Sequence, residues 1–131
     1  MDKDEVNEDD ESLYDEIRLE DELYAEQIES HPEYADFFEQ SQGLDDVYLD
    51  ADGQEVNPHL HLTLHVMVEK QLRSDDPPFV RKTFERLTAR GLDGHEAQHA
   101  IMGVLVQLTW DVLTQQQPFD TKRYERELER L

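Results

Sequence analysis

The segment from 94 to 116 constrains this chain most. Ala100, Ile101, Val104, Leu105, Leu108, Val112 and Leu113 recur there at spacings of three and four, the period of a helix that buries a face. Asp93 precedes it as an N-cap, and Pro118 breaks the pattern beyond it. No other segment is as apolar, so this helix is predicted to be central. The rest of the chain must then supply partners that cover it.

Those partners announce themselves by their start signals. Asn57-Pro58 pairs an N-cap with a first-turn proline. A helix over 58–73 should follow, with Leu60, Leu64, Met67, Val68 and Leu72 as its core stripe. Asp75-Asp76-Pro77-Pro78 ends that helix and starts another over 78–90 by the same device, burying Phe79, Val80, Phe84 and Leu87 before the C-cap glycine Gly91. Asp120 caps a last short helix in which Tyr124, Leu128 and Leu131 can pack. Met67, Met102 and Trp110 lie in apolar stripes and are expected in the core.

Upstream, residues 1–11 are charged with almost no apolar content, so they are expected to be disordered. Ser12 and Asp15 form a capping-box pair, and Leu13, Ile17, Tyr24 and Ile28 recur at helical spacing, predicting a helix over about 12–29. His31-Pro32 starts a short helix carrying Tyr34, Phe37 and Phe38, which Ser41-Gln42-Gly43 ends. Val47-Tyr48-Leu49 and Gln54-Glu55-Val56 flank Asp50-Ala51-Asp52-Gly53, which suggests a tiny hairpin over 47–56. Asp46, Asp50 and Asp52 before Gly53 also suggest a calcium loop. With Gly53 aligned, however, Tyr48 takes the first ligand position and His59 stands where the bidentate Glu should be. The pattern as a whole predicts an all-α protein: a compact bundle of four to six helices, forming a single domain over 12–131.

Charge excludes several partners. Asp and Glu number 33 against 12 Lys and Arg, a formal charge of -21. Nucleic acid needs cations to displace its counterions, and an anionic membrane would repel this surface. The acids extend beyond the N-terminal segment, and lysine is confined to Lys3, Lys70, Lys82 and Lys122. That balance is read as halophilic, an adaptation to a high-salt cytosol, with an acidic interaction tail as the rival reading. No run of about 20 apolar residues is present, and Met1-Asp2-Lys3-Asp4-Glu5 lacks signal-peptide character, so a soluble cytoplasmic protein is expected.

The chemistry lies in the histidines. The chain has six, and four form two i, i+4 pairs: His61 with His65, and His95 with His99. Residues four apart on a helix share a face, so each pair can grip one cation. Two helices with these faces opposed would gather four imidazoles, with Glu69 extending the first row. There is no cysteine, so any metal must be held by imidazole, carboxylate, carbonyl or water. Imidazole suits zinc, iron, nickel or copper, and zinc is the first choice. His59 falls on another face, and His31 is read as a turn residue.

His95-Glu96-Ala97-Gln98-His99 is also a literal H-E-x-x-H, in which the glutamate would act as general base. A third histidine six residues after His99 is missing, since that position is Leu105, and 131 residues leave little room for a peptide cleft. A peptidase is therefore disfavoured.

Asn57-Pro58-His59-Leu60-His61-Leu62-Thr63-Leu64-His65, Asp76-Pro77-Pro78, His95-Glu96-Ala97-Gln98-His99-Ala100-Ile101-Met102 and Trp110 resemble a family of small bacterial proteins classed as a domain of unknown function. His31-Pro32-Glu33-Tyr34 matches its H-P-E-Y. The resemblance spans about residues 31–130 and implies that the two histidine pairs are its signature. It implies no activity. Gly103 and Gln107 stand where that family's pattern carries glutamates, which weakens the case for a catalytic centre if those carboxylates are ligands.

The expected function is a metal-binding helical protein with His61, His65, His95, His99 and Glu69 as ligands. It would extend to a metal-dependent hydrolase if Glu96 activates a bound water. The alternative is a non-catalytic interaction or adaptor protein. There the histidines would be structural, and the acidic N-terminal helix would dock a protein partner.

Overall fold

The computed structural model describes residues 8–41, 43, 46–50 and 52–131. Of residues 1–11, expected to be disordered, 1–7 lie outside the described residues, as do Gln42 and Ala51 of the predicted turns and the side chains of Ser12 and Leu13. The architecture is all-α. Among the described residues there are six α-helices, a 3-10 turn and one two-stranded sheet. The helices are α1 (Glu8–Ser30), α2 (Ala35–Gln40), α3 (Pro58–Ser74), α4 (Pro78–Ala89), α5 (Gly94–Gln115) and α6 (Thr121–Glu129). The chain divides into two compact units, Met1–Pro58 and His59–Leu131.

In the first unit α1 starts at Glu8, four residues before the expected cap. Its buried anchor is Leu23, whereas Ile17 and Ile28 of the predicted stripe are 49% and 43% exposed. The 3-10 turn (Pro32–Tyr34) and α2 bring Tyr34 and Phe37 against Tyr48 of the hairpin, and Phe38 packs on Tyr34 and Phe37, with edge-on ring contacts between 5.4 and 6.5 Å. Burial raises the Tyr34 phenol above its ordinary pKa. The predicted hairpin is present: β1 (Tyr48–Leu49) pairs antiparallel with β2 (Glu55–Val56), with Tyr48 opposite Val56. Asp50 builds its turn, because its Oδ1 accepts the backbone N–H groups of Asp52 and Gln54 at 2.9 Å each. Gly53 supplies the left-handed residue that this turn needs (φ 78°).

In the second unit, four helices enclose one core. Leu64, Val68 and Leu72 of α3 meet Val80 and Leu87 of α4, Ala97, Ile101, Leu105 and Leu108 of α5, and Tyr124 and Leu128 of α6. Gly91 (φ 106°) ends α4 in a Schellman closure: Leu92 N–H donates to Leu87 O at 3.3 Å and Gly91 N–H to Thr88 O at 3.1 Å. Tyr124 ties α6 to α3 by donating its hydroxyl to Gln71 Oε1 at 2.8 Å. Arg86 of α4 donates to the Leu128 carbonyl near the end of α6, and Arg90, the C-cap of α4, donates to the Leu131 carbonyl beyond it. α4 itself departs from expectation at its start. Its N-cap is Pro77, with no side-chain cap, so neither aspartate before it supplies the capping side chain expected there.

The predicted core needs correcting at four positions. Trp110 and Leu113 are 62% and 70% exposed, and Leu60 and Met67 are 45% and 37% exposed. On α5 the buried positions recur as Ala97, Ile101, Leu105 and Leu108. Trp110 follows Leu108 by two residues, about 200° round the helix, and therefore points outward. A segment apolar on every side does not by itself disclose which side is covered. Met102, expected in the core along with Met67 and Trp110, is buried. Among the described residues no helix is long and apolar enough to cross a membrane.

Truncating Leu105 to Ala should cost about 2–5 kcal/mol of unfolding free energy, because it opens a void in a closed core. Trp110→Ala should stay within about 0.5 kcal/mol, as exposed positions do. Urea titrations of the two variants beside the parent protein provide the comparison.

Candidate metal centre

The two histidine pairs meet. His61 and His65 lie in the first turns of α3, and His95 and His99 in the first turns of α5. Both helix starts are fixed close by, at Pro58 for α3 and at the Asp93 cap for α5, so each pair sits on well-formed helix within two turns of its beginning. Ring centroids are 4.8 Å apart for His61–His65, 5.0 Å for His61–His99, 4.9 Å for His65–His99 and 4.1 Å for His95–His99. One ring nitrogen each from His61, His65 and His99 lies within 4.8 Å of the others. His95 flanks this set, 4.8 Å from the His65 ring centroid. His65 is fully buried, His61 is half-buried, and His95 and His99 are exposed at the mouth.

His65 Nε2 and His99 Nε2 are 3.0 Å apart. Two nitrogens bound at 2.0–2.1 Å to one tetrahedral zinc stand about 3.3 Å apart. This pair is thus close to ligand spacing already, and the donor set can hold a metal ion.

Behind His65 runs a chain of hydrogen bonds. His65 Nδ1 is 3.1 Å from Gln98 Oε1, and Gln98 Nε2 is 2.8 Å from Glu69 Oε2. Arg73 donates its Nε–H to the other oxygen, Glu69 Oε1, at 3.1 Å. The Glu69 carboxylate accepts only, so the Gln98 amide must turn its NH₂ toward Glu69 and its oxygen toward His65. His65 Nδ1 then carries the proton and donates it, which leaves the Nε2 lone pair facing the other imidazoles.

Glu96 is placed differently. It is the third residue of α5, where its carboxylate accepts the backbone N–H of Asp93 at 3.3 Å and its own N–H donates to Asp93 Oδ1 at 2.8 Å. This is a complete capping box. The Glu96 backbone N–H, foremost among several hydrogen bonds, holds the Asp93 carboxyl below the usual carboxylate range. His59 uses its carbonyl to accept the Thr63 hydroxyl. In the first unit His31 is buried, its Nδ1 2.7 Å from Gln27 O, at the N-cap of the 3-10 turn. Gln98, which links His65 to Glu69, is not signalled by the sequence. Its place four residues below Met102 and three beyond His95 carries no motif, and only the spatial neighbour Glu69 reveals it.

One family model matches, over residues 11–130: that of a domain of unknown function. No curated protein and no solved structure matches the chain.

Replacing His65 by Ala removes the ring that joins Gln98 to His99. In chelator-treated protein this should lower stability by about 1–3 kcal/mol, the range for disrupting a buried hydrogen-bonded group. Urea unfolding in the presence of EDTA measures it, and an unchanged midpoint would mean that the chain of bonds contributes nothing to folding.

Proposed function

The chain belongs to the DUF1841 family, a domain of unknown function, and we propose that it binds one divalent transition metal, zinc in first place. The observation that carries this reading is the mutual approach of His61, His65 and His99 nitrogens to within 4.8 Å. His95, against the His99 ring, would complete a fourth ligand position or leave it to water. Neutral imidazoles alone suit zinc, nickel, copper and iron, and zinc takes four tetrahedral ligands or three with a water. Glu69 supports the site through Gln98.

A hydrolytic use of this metal would need Glu96 as base. In the folded helix its carboxylate is engaged with the Asp93 N–H, so it would have to leave the capping box to reach the site. Metal content should therefore survive Glu96→Ala, while any metal-dependent hydrolysis would not.

The adaptor reading draws on a different observation. The His65–His99 contact and the Gln98 bond occupy both nitrogens of the buried ring without a metal. The exposed acids of α1, among them Asp21, Glu22 and Glu29, would then form the docking face for a protein partner.

Elemental analysis of untagged, purified protein separates the two. Near-stoichiometric transition metal is expected, with EDTA lowering the melting temperature. His65→Ala and His99→Ala should each lose the metal and the part of the melting temperature that EDTA removes. Metal-free protein whose melting is indifferent to added zinc would overturn the proposal in favour of the adaptor.

A further inference from the structure

We infer that Gln98 is a positioning residue, an amide relay through which the Glu69 carboxylate fixes His65 as a neutral Nε2 ligand. This rests on the metal reading above and goes beyond it, because it removes Glu69 from the ligand set and gives its place to a residue that touches no metal.

Three features of the geometry carry the inference. Glu69 spends both oxygens elsewhere, Oε1 on Arg73 at 3.1 Å and Oε2 on Gln98 at 2.8 Å. Gln98 in turn places its oxygen 3.1 Å from His65 Nδ1. His65 is fully buried, so solvent cannot substitute for a missing partner there. Without a fixed acceptor at Nδ1, an imidazole divides between two tautomers, only one of which offers its Nε2 lone pair to the cluster. Without Glu69, the amide itself loses the reason to point its oxygen at His65, since both of its ends can then be accommodated either way. Partners in this position behind metal-binding histidines typically change metal affinity 10- to 100-fold.

The relay makes a prediction that neither packing nor direct ligation by Glu69 would make. In the exchange variant Glu69→Gln/Gln98→Glu, the new carboxylate at 98 accepts from His65 Nδ1–H and from the new amide at 69. The new amide's oxygen still faces Arg73. The chain of donors and acceptors is restored, with the carboxylate moved next to the histidine.

The experiment is Co²⁺ titration of the full chain, followed by its visible d–d absorption, with ¹⁵N shifts of the His65 ring recorded in metal-free protein. The parent protein should show a single Nδ1–H tautomer at His65. Gln98→Met, close in volume and without an acceptor, should weaken Co²⁺ binding at least about 10-fold and mix the tautomers. The exchange variant should bind within about threefold of the parent or tighter, with the same absorption bands. Equal Co²⁺ affinity in Gln98→Met would overturn the relay, and so would weak binding in the exchange variant, which direct ligation by Glu69 predicts. If Gln98→Met does not fold, the exchange variant alone decides between these outcomes. A parent protein that shows the fixed tautomer yet binds no Co²⁺ overturns the metal reading, and with it the relay's role, while a mixed tautomer in the parent overturns the relay on its own.

Discussion

An imidazole with no access to water sets the terms for the second unit. His65 is fully buried, and both of its nitrogens must find partners inside the protein or pay the desolvation cost of a bare polar group. One nitrogen faces Gln98 and the other faces His99, both from α5. α3 and α5 are therefore held in one register by a polar contact as well as by packing. Apolar side chains tolerate small slips between helices, whereas a hydrogen bond of 3.0 Å does not. The order of helices α3 to α6 can be built from hydrophobic pattern alone. The buried ring stands where the four imidazoles meet, within 4.9 Å of the centroid of each of the other three.

α5 does two tasks with one surface. Ala97, Ile101, Leu105 and Leu108 bury one side in the core. His95 and His99 lie on an adjoining flank, and Gln98 stands between that flank and the core. Because core packing fixes the rotation of the helix, it also fixes the direction in which these three polar side chains point. A site of this kind is as rigid as the core beside it. Its mouth is different: His95 and His99 are exposed, so solvent reaches these two imidazoles and not the buried one.

Much of this was legible in the sequence, for reasons that are local. Pro58, Gly91 and Asp93 act on the backbone within one turn, so the starts of α3 and α5 and the end of α4 lie where these residues put them. The Asp50–Gly53 turn is equally local. The histidine pairs were visible because a spacing of four is a statement about one helix. What could not be read depends on neighbours distant in sequence. Gln98 and Glu69 are 29 positions apart, and nothing in either local context signals their bond. Trp110 and Leu113 belong to a segment apolar on several sides, where periodicity fails to select the covered one. The start of α1 at Glu8, inside a run of acids, is equally absent from the apolar pattern.

The H-E-x-x-H motif shows how one residue can satisfy two sequence patterns and serve one of them. Asp93-Gly94-His95-Glu96 fits the capping box, an N-cap acid with a glutamate three residues on. His95-Glu96-Ala97-Gln98-His99 fits the zincin pattern, and Glu96 is common to both. In the folded chain the helix start uses it, since the first-turn N–H groups have no partner within the helix and a carboxylate at this position supplies one. The carboxylate that serves the imidazoles comes instead from α3, at Glu69, by way of an amide. A glutamate held behind a histidine tunes a ligand, whereas a glutamate beside a bound water makes a base. The placement of Glu69 and Glu96 thus favours holding a metal over activating a nucleophile on it.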